Sequence, residues 1–116
     1  MPFLSSTKFE LLSDENMVRV LWPIETPEVT IPTGFKSNGA SSPLLIQGLV
    51  PQYDRYLPAY VIHDWCYSKD SKFSRECADR LLRQNLIKMG MSHIKAESIY
   101  LALREFGKDH YKGSLS

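Results

Sequence analysis

The positions of proline constrain the fold of this 116-residue chain more than any other sequence feature. All seven prolines lie in the first half, and none follows Pro58. Proline interrupts helices and central strands because it has no amide hydrogen. The pattern therefore predicts a single α+β domain over residues 1–116, with a β- and loop-rich part at 1–50 and a helical part at 54–113. In this arrangement a small antiparallel sheet packs on a three-helix unit.

Composition is ordinary for a globular protein that folds without disulfides or metals, with 43% hydrophobic and 23% charged residues. The net charge of +1 creates no field that would recruit nucleic acid, so no nucleic-acid partner is expected. No transmembrane helix is predicted, because no apolar run reaches the roughly 18 residues that one needs. The first six residues lack the features of a signal peptide. Without an export signal, Cys66 and Cys77 are expected to be thiols.

Two β-rich runs near the start of the chain, Lys8–Leu12 and Met17–Trp22, predict a β-hairpin. In the second run, one face is expected to be more deeply buried. The two faces carry Val18, Val20 and Trp22 on one side and Met17, Arg19 and Leu21 on the other. The segment Glu28–Ile31 is a candidate third strand that ends at Pro32.

A long loop-like stretch covers residues 32–43, and its Asn38-Gly39 dipeptide is typical of a tight turn. It is either a plain connection or a loop whose main chain helps to hold an ion or oxyanion beside the following helix. The apolar segment Leu44–Val50 is expected to be a helical turn or a buried segment.

Three helices are predicted after this loop. The first covers residues 57–68, with Pro58 in its first turn. Ser74 caps the second helix and Gly90 ends it, whereas the third begins after Ser92 and ends at Gly107. The core-facing stripes of the second and third helices are expected to contain Cys77, Ala78, Leu81, Leu82, Leu86 and Met89, and then Ala96, Ile99, Tyr100, Leu103 and Phe106.

Polar side chains form one stripe along the first helix. Tyr60, His63, Asp64 and Tyr67 have the spacing i, i+3, i+4 and i+7, which brings them to one face. Apolar residues flank this stripe on both sides. Such a pattern indicates either an internal hydrogen-bonded network or the floor of a functional site.

Acid–base chemistry gives the functional interpretation. His63 would act as a general base on water, and Asp79 of the second helix would orient its ring. Asp64 points away from His63 and would bind a cation beside it. Tyr67 and Tyr60 would donate hydrogen bonds to the carboxylate of Asp79.

The same residues support a structural interpretation. A His–Asp–Tyr network between two helices can satisfy its own hydrogen bonds without any substrate. Asp79 also has Arg75 and Arg83 at i−4 and i+4, so it could be a surface ion-pair residue. Residue spacing alone leaves both interpretations open.

The run His63-Asp64-Trp65-Cys66-Tyr67 resembles the HDxCY signature of the secreted, calcium-dependent phospholipases. In those enzymes the His activates water, the next Asp binds calcium, and the Tyr supports a distant Asp that pairs with the His. The resemblance implies His63 and Asp79 as catalytic residues, Asp64 as a calcium ligand and a lipid as substrate. It covers about twenty residues.

A second resemblance covers nearly the whole chain. The order of Ile31-Pro-Thr-Gly-Phe35, Asn38-Gly-Ala-Ser41, Ala59–Tyr67, Ser74–Asp79 and Leu103–Gly107 is similar to a family of short tailed-phage and prophage proteins catalogued as a domain of unknown function. Asn38 stands where that pattern usually has an acidic residue. Asn38, Arg75, Tyr60 and Tyr67 are expected to support the site formed by His63, Asp64 and Asp79.

The second resemblance implies a phage-encoded protein, which is expected in the host cytoplasm during infection or in the virion. One hypothesis is a hydrolase that uses a His–Asp pair on an ester such as a phospholipid, with Ca²⁺ as its cofactor. The other is a non-enzymatic virion or tail-associated protein that binds other phage structural proteins. The sequence does not predict an oligomeric state.

Overall fold

The computed structural model describes residues 8–12, 17–37, 53–68, 72–108 and 111–112. Within these ranges, five short strands precede three helices, which confirms the predicted α+β arrangement. The strands are β1 (Phe9–Leu12), β2 (Met17–Val20), β3 (Ile24–Glu25), β4 (Thr30–Ile31) and β5 (Lys36–Ser37). The helices are α1 (Tyr53–Tyr67), α2 (Arg75–Lys88) and α3 (His93–Phe106).

The predicted hairpin is present. Strands β1 and β2 pair antiparallel, with Phe9 opposite Val20 and Leu12 opposite Met17. One face of β2 is more deeply buried, as expected, because Val18 and Val20 are buried and Met17 and Arg19 are only partly so; Trp22 is 61% exposed. Strand β2 ends at Val20, so Trp22 no longer follows the alternation of the sheet.

The remaining strands differ from the prediction. The third strand begins later than expected and forms β4, which pairs with β3 and not with the hairpin. Ile24 and Ile31 face each other in this pair, and both are buried. Strand β5 lies in the stretch interpreted as a loop and pairs with β2, so it completes a three-stranded sheet in the order β1-β2-β5. The rest of that loop, from Asn38 to Pro43, and the segment Leu44–Val50 lie outside the described residues.

The helix boundaries follow the predicted caps, with one exception. The Oγ atoms of Ser74 and Ser92 accept hydrogen bonds from the amides of Cys77 and Lys95, both at 3.2 Å. Gly90 has a φ of 104°, as expected for the residue that terminates α2. Helix α1, however, begins at Tyr53, so Pro58 lies inside the helix and not in its first turn.

Two clusters of buried side chains form the core. The first joins the sheet to α1 and α2 and includes Val18, Val20, Ile62 and Cys66. The second joins the three helices and contains Ala59, Tyr60, Leu82, Leu86, Met91, Ala96, Ile99 and Leu103. Two residues of the predicted stripes are exposed instead, namely Cys77 and Phe106.

Both cysteines are free thiols, as predicted. Burial raises the pKa of the Cys66 thiol to about 12, so this group keeps its proton at neutral pH. None of the helices in the described ranges has the length and apolar character needed to cross a membrane.

Candidate functional site

A buried carboxylate, that of Asp79, is the centre of the candidate site. Its side chain has no exposed surface. Oδ1 accepts a hydrogen bond from the hydroxyl of Tyr67 at 2.6 Å and lies 2.8 Å from Nε2 of His63. Oδ2 accepts one from Nη1 of Arg104 at 2.9 Å and lies 3.9 Å from Nη1 of Arg75. We call these five residues the Asp79 cluster.

Helix α1 supplies two neighbouring donors. His63 and Tyr67 are four residues apart, one turn along the helix, so both side chains reach the same carboxylate oxygen. Their rings are in contact, with centroids 4.1 Å apart and planes tilted by 45°. The predicted contact between His63 and Asp79 is present, and so is the predicted donation from Tyr67.

The end of α3 supplies the third donor, and Arg75 holds that end in place. Nη1 of Arg75 donates to the carbonyl of Leu103 at 3.0 Å, and Nη2 donates to the carbonyl of Arg104 at 3.4 Å. The last carbonyls of a helix have no partner within the helix, so these bonds stabilise the α3 terminus against the start of α2. Arg104 is thereby directed at Asp79.

Gly107 lets α3 end in contact with Tyr67. A Cβ atom at this position would lie 2.9 Å from the Tyr67 hydroxyl and 2.6 Å from the carbonyl oxygen of Leu103. Both distances are too short for carbon, so any larger residue would displace one of these groups. The φ angle of −82° is ordinary, and therefore it is close packing that requires glycine here.

The charge of Asp79 follows from its partners. Burial raises the pKa of this carboxyl, but the hydrogen bonds from His63, Tyr67 and Arg104 oppose it and leave the pKa below its usual value. The carboxylate is therefore ionised at neutral pH and can only accept hydrogen bonds. Burial and the bond to Asp79 both raise the pKa of Tyr67, which stays protonated and donates.

This charge state fixes the tautomer of His63. Because Asp79 only accepts, Nε2 of the imidazole must carry the hydrogen that lies between them. In the neutral ring, Nδ1 then has a free lone pair, and no described residue forms a hydrogen bond with it. The His63 side chain retains 8% exposure. The arrangement is that of an oriented imidazole with one basic nitrogen available.

Asp64 lies apart from the Asp79 cluster. It is half-buried, and its Oδ2 accepts a hydrogen bond from the hydroxyl of Ser37 on β5 at 2.7 Å. Calcium prefers six to eight oxygen ligands. In the described part of the chain, no group of three His, Cys, Asp or Glu side chains is close enough to hold a metal ion. Asn38 lies outside the described residues.

The contact predicted for Tyr60 is absent. Its hydroxyl is buried in the second core cluster and has no hydrogen-bond partner among the described residues. The stripe along α1 thus divides: His63 and Tyr67 face Asp79, Asp64 faces the sheet, and Tyr60 packs among apolar side chains. Burial raises the pKa of the Tyr60 hydroxyl.

Two contributors, Arg104 and Ser37, were not predicted from the sequence. Arg104 belongs to the Leu103–Gly107 motif. The motif does not indicate that Arg104 contacts Asp79, because the two residues are 25 positions apart in sequence. Arg83, considered as a partner of Asp79, pairs instead with Glu97 at 2.7 Å. The possibility that Asp79 is a surface ion-pair residue is wrong, since it is fully buried.

The structure defines an α+β domain in which three helices enclose an ionised carboxylate. This chain belongs to a family of proteins of unknown function: the family described as "Protein of unknown function (DUF1353)" matches residues 18–103. The match includes His63, Tyr67, Arg75 and Asp79.

The chain is also similar to the uncharacterized protein y4iH of Sinorhizobium fredii (strain NBRC 101917 / NGR234), with 34% identity over 74 residues. That alignment covers 62% of this chain and 30% of the relative, so the chain spans less than a third of that protein. No solved structure matches the chain significantly.

Proposed function

We propose that the protein is a hydrolase in which His63 is the general base and Asp79 orients and stabilises its ring. The observation that carries this proposal is the bond of Nε2 to an ionised, buried carboxylate, while Nδ1 has no partner among the described residues. A hydrogen-bonded carboxylate both fixes the tautomer and stabilises the imidazolium that forms during catalysis.

The proposed reaction is ester hydrolysis. Nδ1 of His63 takes a proton from water, and the resulting hydroxide attacks the ester carbonyl. When the tetrahedral intermediate collapses, the C–O bond to the leaving alcohol breaks and the imidazolium returns its proton to that oxygen. Tyr67 and Arg104 contribute by keeping Asp79 ionised. The resemblance to the calcium-dependent phospholipases supports a phospholipid as the ester.

We assign calcium no step in this reaction. Whether the rate of hydrolysis depends on calcium is to be measured. Asp64 adjoins His63 in sequence and presents a carboxylate, whose Oδ2 accepts a hydrogen bond from the hydroxyl of Ser37. An effect of calcium on activity that Asp64→Asn abolishes would assign the metal to this residue.

The test compares hydrolysis of a short-chain ester and of a dispersed phospholipid by the wild type, His63→Ala and His93→Ala, each with calcium or with a chelator. His93 is an exposed histidine at the start of α3, so its variant controls for loss of an imidazole elsewhere. We expect His63→Ala to lower the rate by about 10²-fold or more, as for loss of a general base. His93→Ala should keep the wild-type rate.

Absence of hydrolysis by a folded wild type on both substrates would overturn the proposal. So would equal rates for the wild type and His63→Ala. Circular dichroism of each variant separates loss of catalysis from loss of structure.

The burial of the Asp79 cluster favours a second candidate, a non-enzymatic structural or interaction protein. His63 is 7% exposed, and both oxygens of the fully buried Asp79 accept hydrogen bonds from protein groups, so this carboxylate is satisfied without a substrate. The resemblance to tailed-phage proteins supports a virion or tail-associated role. Mass-spectrometric detection of this chain in purified phage particles, together with an inactive wild type, would support this candidate over the hydrolase.

A further inference from the structure

We propose that a pocket between the start of α2 and the end of α3 binds the dianion of a phosphate monoester. The pocket, which we call the arginine pocket, has a volume of about 440 Å³. Its walls consist of Ser74, Arg75, Glu76, Arg104, Lys108 and Tyr111. His63 does not line it, so the proposal does not depend on catalysis at that residue.

The arginine pocket has an excess of positive charge. Three cationic side chains line it, and one of these charges is compensated by Asp79 behind the wall. Glu76 also lines the pocket, but it is compensated by Arg80 at 3.0 Å. Two positive charges therefore remain among the described residues. A doubly charged anion would neutralise them.

The two arginines are held in position before any ligand binds. Arg75 is fixed by its bonds to the carbonyls of Leu103 and Arg104, and its side chain is 17% exposed. Arg104 uses Nη1 for Asp79, whereas Nη2 and Nε have no hydrogen-bond partner in the described part of the chain. Oriented guanidinium groups are the donors that best match phosphate oxygens. The exposed Lys108 adds a mobile ammonium group without a described ion partner.

The size of the pocket favours an ester over the bare ion. Small-molecule sites commonly occupy about 300–1,000 Å³, which is larger than a phosphate ion needs. The ring of Tyr111 is fixed by the bond from its hydroxyl to the carbonyl of Phe73 at 2.5 Å and offers an apolar wall for an organic group. A phosphate monoester has its second pKa near 6 and is a dianion at neutral pH. Such a group occurs in soluble metabolites and in phosphatidate headgroups.

The experiment measures binding to the full chain by nuclear magnetic resonance titration with glycerol 3-phosphate and by co-sedimentation with phosphatidate vesicles. Dimethyl phosphate, a monoanion, and vesicles of phosphatidylcholine alone are the matched ligand controls. Lys108→Gln removes one pocket charge from an exposed position. Lys95→Gln removes the same charge from an exposed position in the first turn of α3, outside the pocket.

We expect the dianion to bind more tightly than the monoanion, and Lys108→Gln to weaken binding roughly fivefold to tenfold, as for loss of one charge-assisted contact. Lys95→Gln should bind like the wild type. Binding in the soluble assay or in the vesicle assay identifies the source of the phosphate group. No binding in either assay, or equal weakening by both lysine variants, would overturn the proposal.

Discussion

Two buried polar groups in the helical core have opposite surroundings. The carboxylate of Asp79 is contacted by His63, Tyr67 and Arg104 within hydrogen-bond distance, whereas the hydroxyl of Tyr60 has no partner in the part of the chain that the structure describes. Both side chains are almost completely removed from water. Tyr60 and His63 lie only one turn apart on α1, so the difference is not one of depth.

Asp79 and Tyr60 are both buried, so burial alone does not distinguish a candidate site from the core. A buried carboxylate without donors would take up a proton, so Asp79 remains charged only because two helices, α1 and α3, direct three donors at it. Tyr60 instead contributes its ring to the second core cluster and keeps its phenol proton. Tyr60 therefore behaves as a core aromatic residue, and the Asp79 cluster as an organised polar centre.

The largest expected effect comes from Asp79→Asn. The substitution keeps the shape but removes the charge and replaces one acceptor oxygen by an NH2 group, so the donors on that side, either His63 and Tyr67 or Arg104, lose their partner. We expect the free energy of unfolding to fall by about 3 kcal/mol, as when one member of a buried charged network is removed. Urea unfolding measures this change.

Glu76→Gln serves as the control for Asp79→Asn, because Glu76 forms an exposed ion pair with Arg80. Exposed pairs contribute little to stability, so this variant should unfold near the wild-type midpoint. Equal, small changes in the two variants would show that Asp79 is not sealed from water.

The pH dependence of stability provides a second way to test the same carboxylate. The pKa of Asp79 is lower in the folded state, so in acid the unfolded chain takes up this proton first. The stabilisation is complete above the ordinary pKa of about 4 and is lost as the pH falls through the folded value. Unfolding midpoints measured between neutral and acid pH should fall more steeply for the wild type than for Asp79→Asn. Parallel curves would contradict the assignment.

A smaller effect is expected from Gly107→Ala. The added methyl group overlaps the Tyr67 hydroxyl and the Leu103 carbonyl, and overpacking of this kind costs about 1–3 kcal/mol. Thermal unfolding measures the loss. The same substitution in a Tyr67→Phe background should cost less, because the hydroxyl is gone, although the clash with Leu103 remains. Additive losses would show that Gly107 and Tyr67 are not in contact.

The smallest effects are expected when each of the two buried tyrosines, Tyr67 and Tyr60, loses its hydroxyl. Tyr67→Phe removes one donor from Asp79 and should lower the free energy of unfolding by about 1–2 kcal/mol. Tyr60→Phe removes a hydroxyl that bonds to none of the described residues, and we expect it to leave stability unchanged or to raise it by up to about 1 kcal/mol. Chemical unfolding of the two variants side by side checks this. A greater loss for Tyr60→Phe would reverse the roles assigned to the two tyrosines.

The sequence predicted those parts of the fold that have local signals. Ser74, Gly90 and Ser92 act within a few residues of themselves, and the helix ends were therefore placed well. Strands β3, β4 and β5 have only two residues each, too few for alternation to show. Their existence depends on pairing with distant partners, as β5 does with β2.

The same distinction applies to the candidate site. The spacing of His63 and Tyr67 places both on one face of a helix, and the resemblance to the phospholipases indicated Asp79 as their partner. Arg104 could not be assigned from spacing, because its contact with Asp79 depends on how α3 packs against α2. The separation of Tyr60 from this group depends on small rotations around α1 that residue spacing does not resolve.

The bonds from Arg75 to the end of α3 have a consequence for hydrogen exchange. If α3 detached alone, Asp79 would lose Arg104 while remaining enclosed by α1 and α2, and Arg75 would lose both of its carbonyl partners. Detaching α3 alone would therefore cost much of the free energy that complete unfolding costs. The amides of α3 should therefore exchange together with those of α1 and α2, as one cooperative unit and not as a fraying terminal helix.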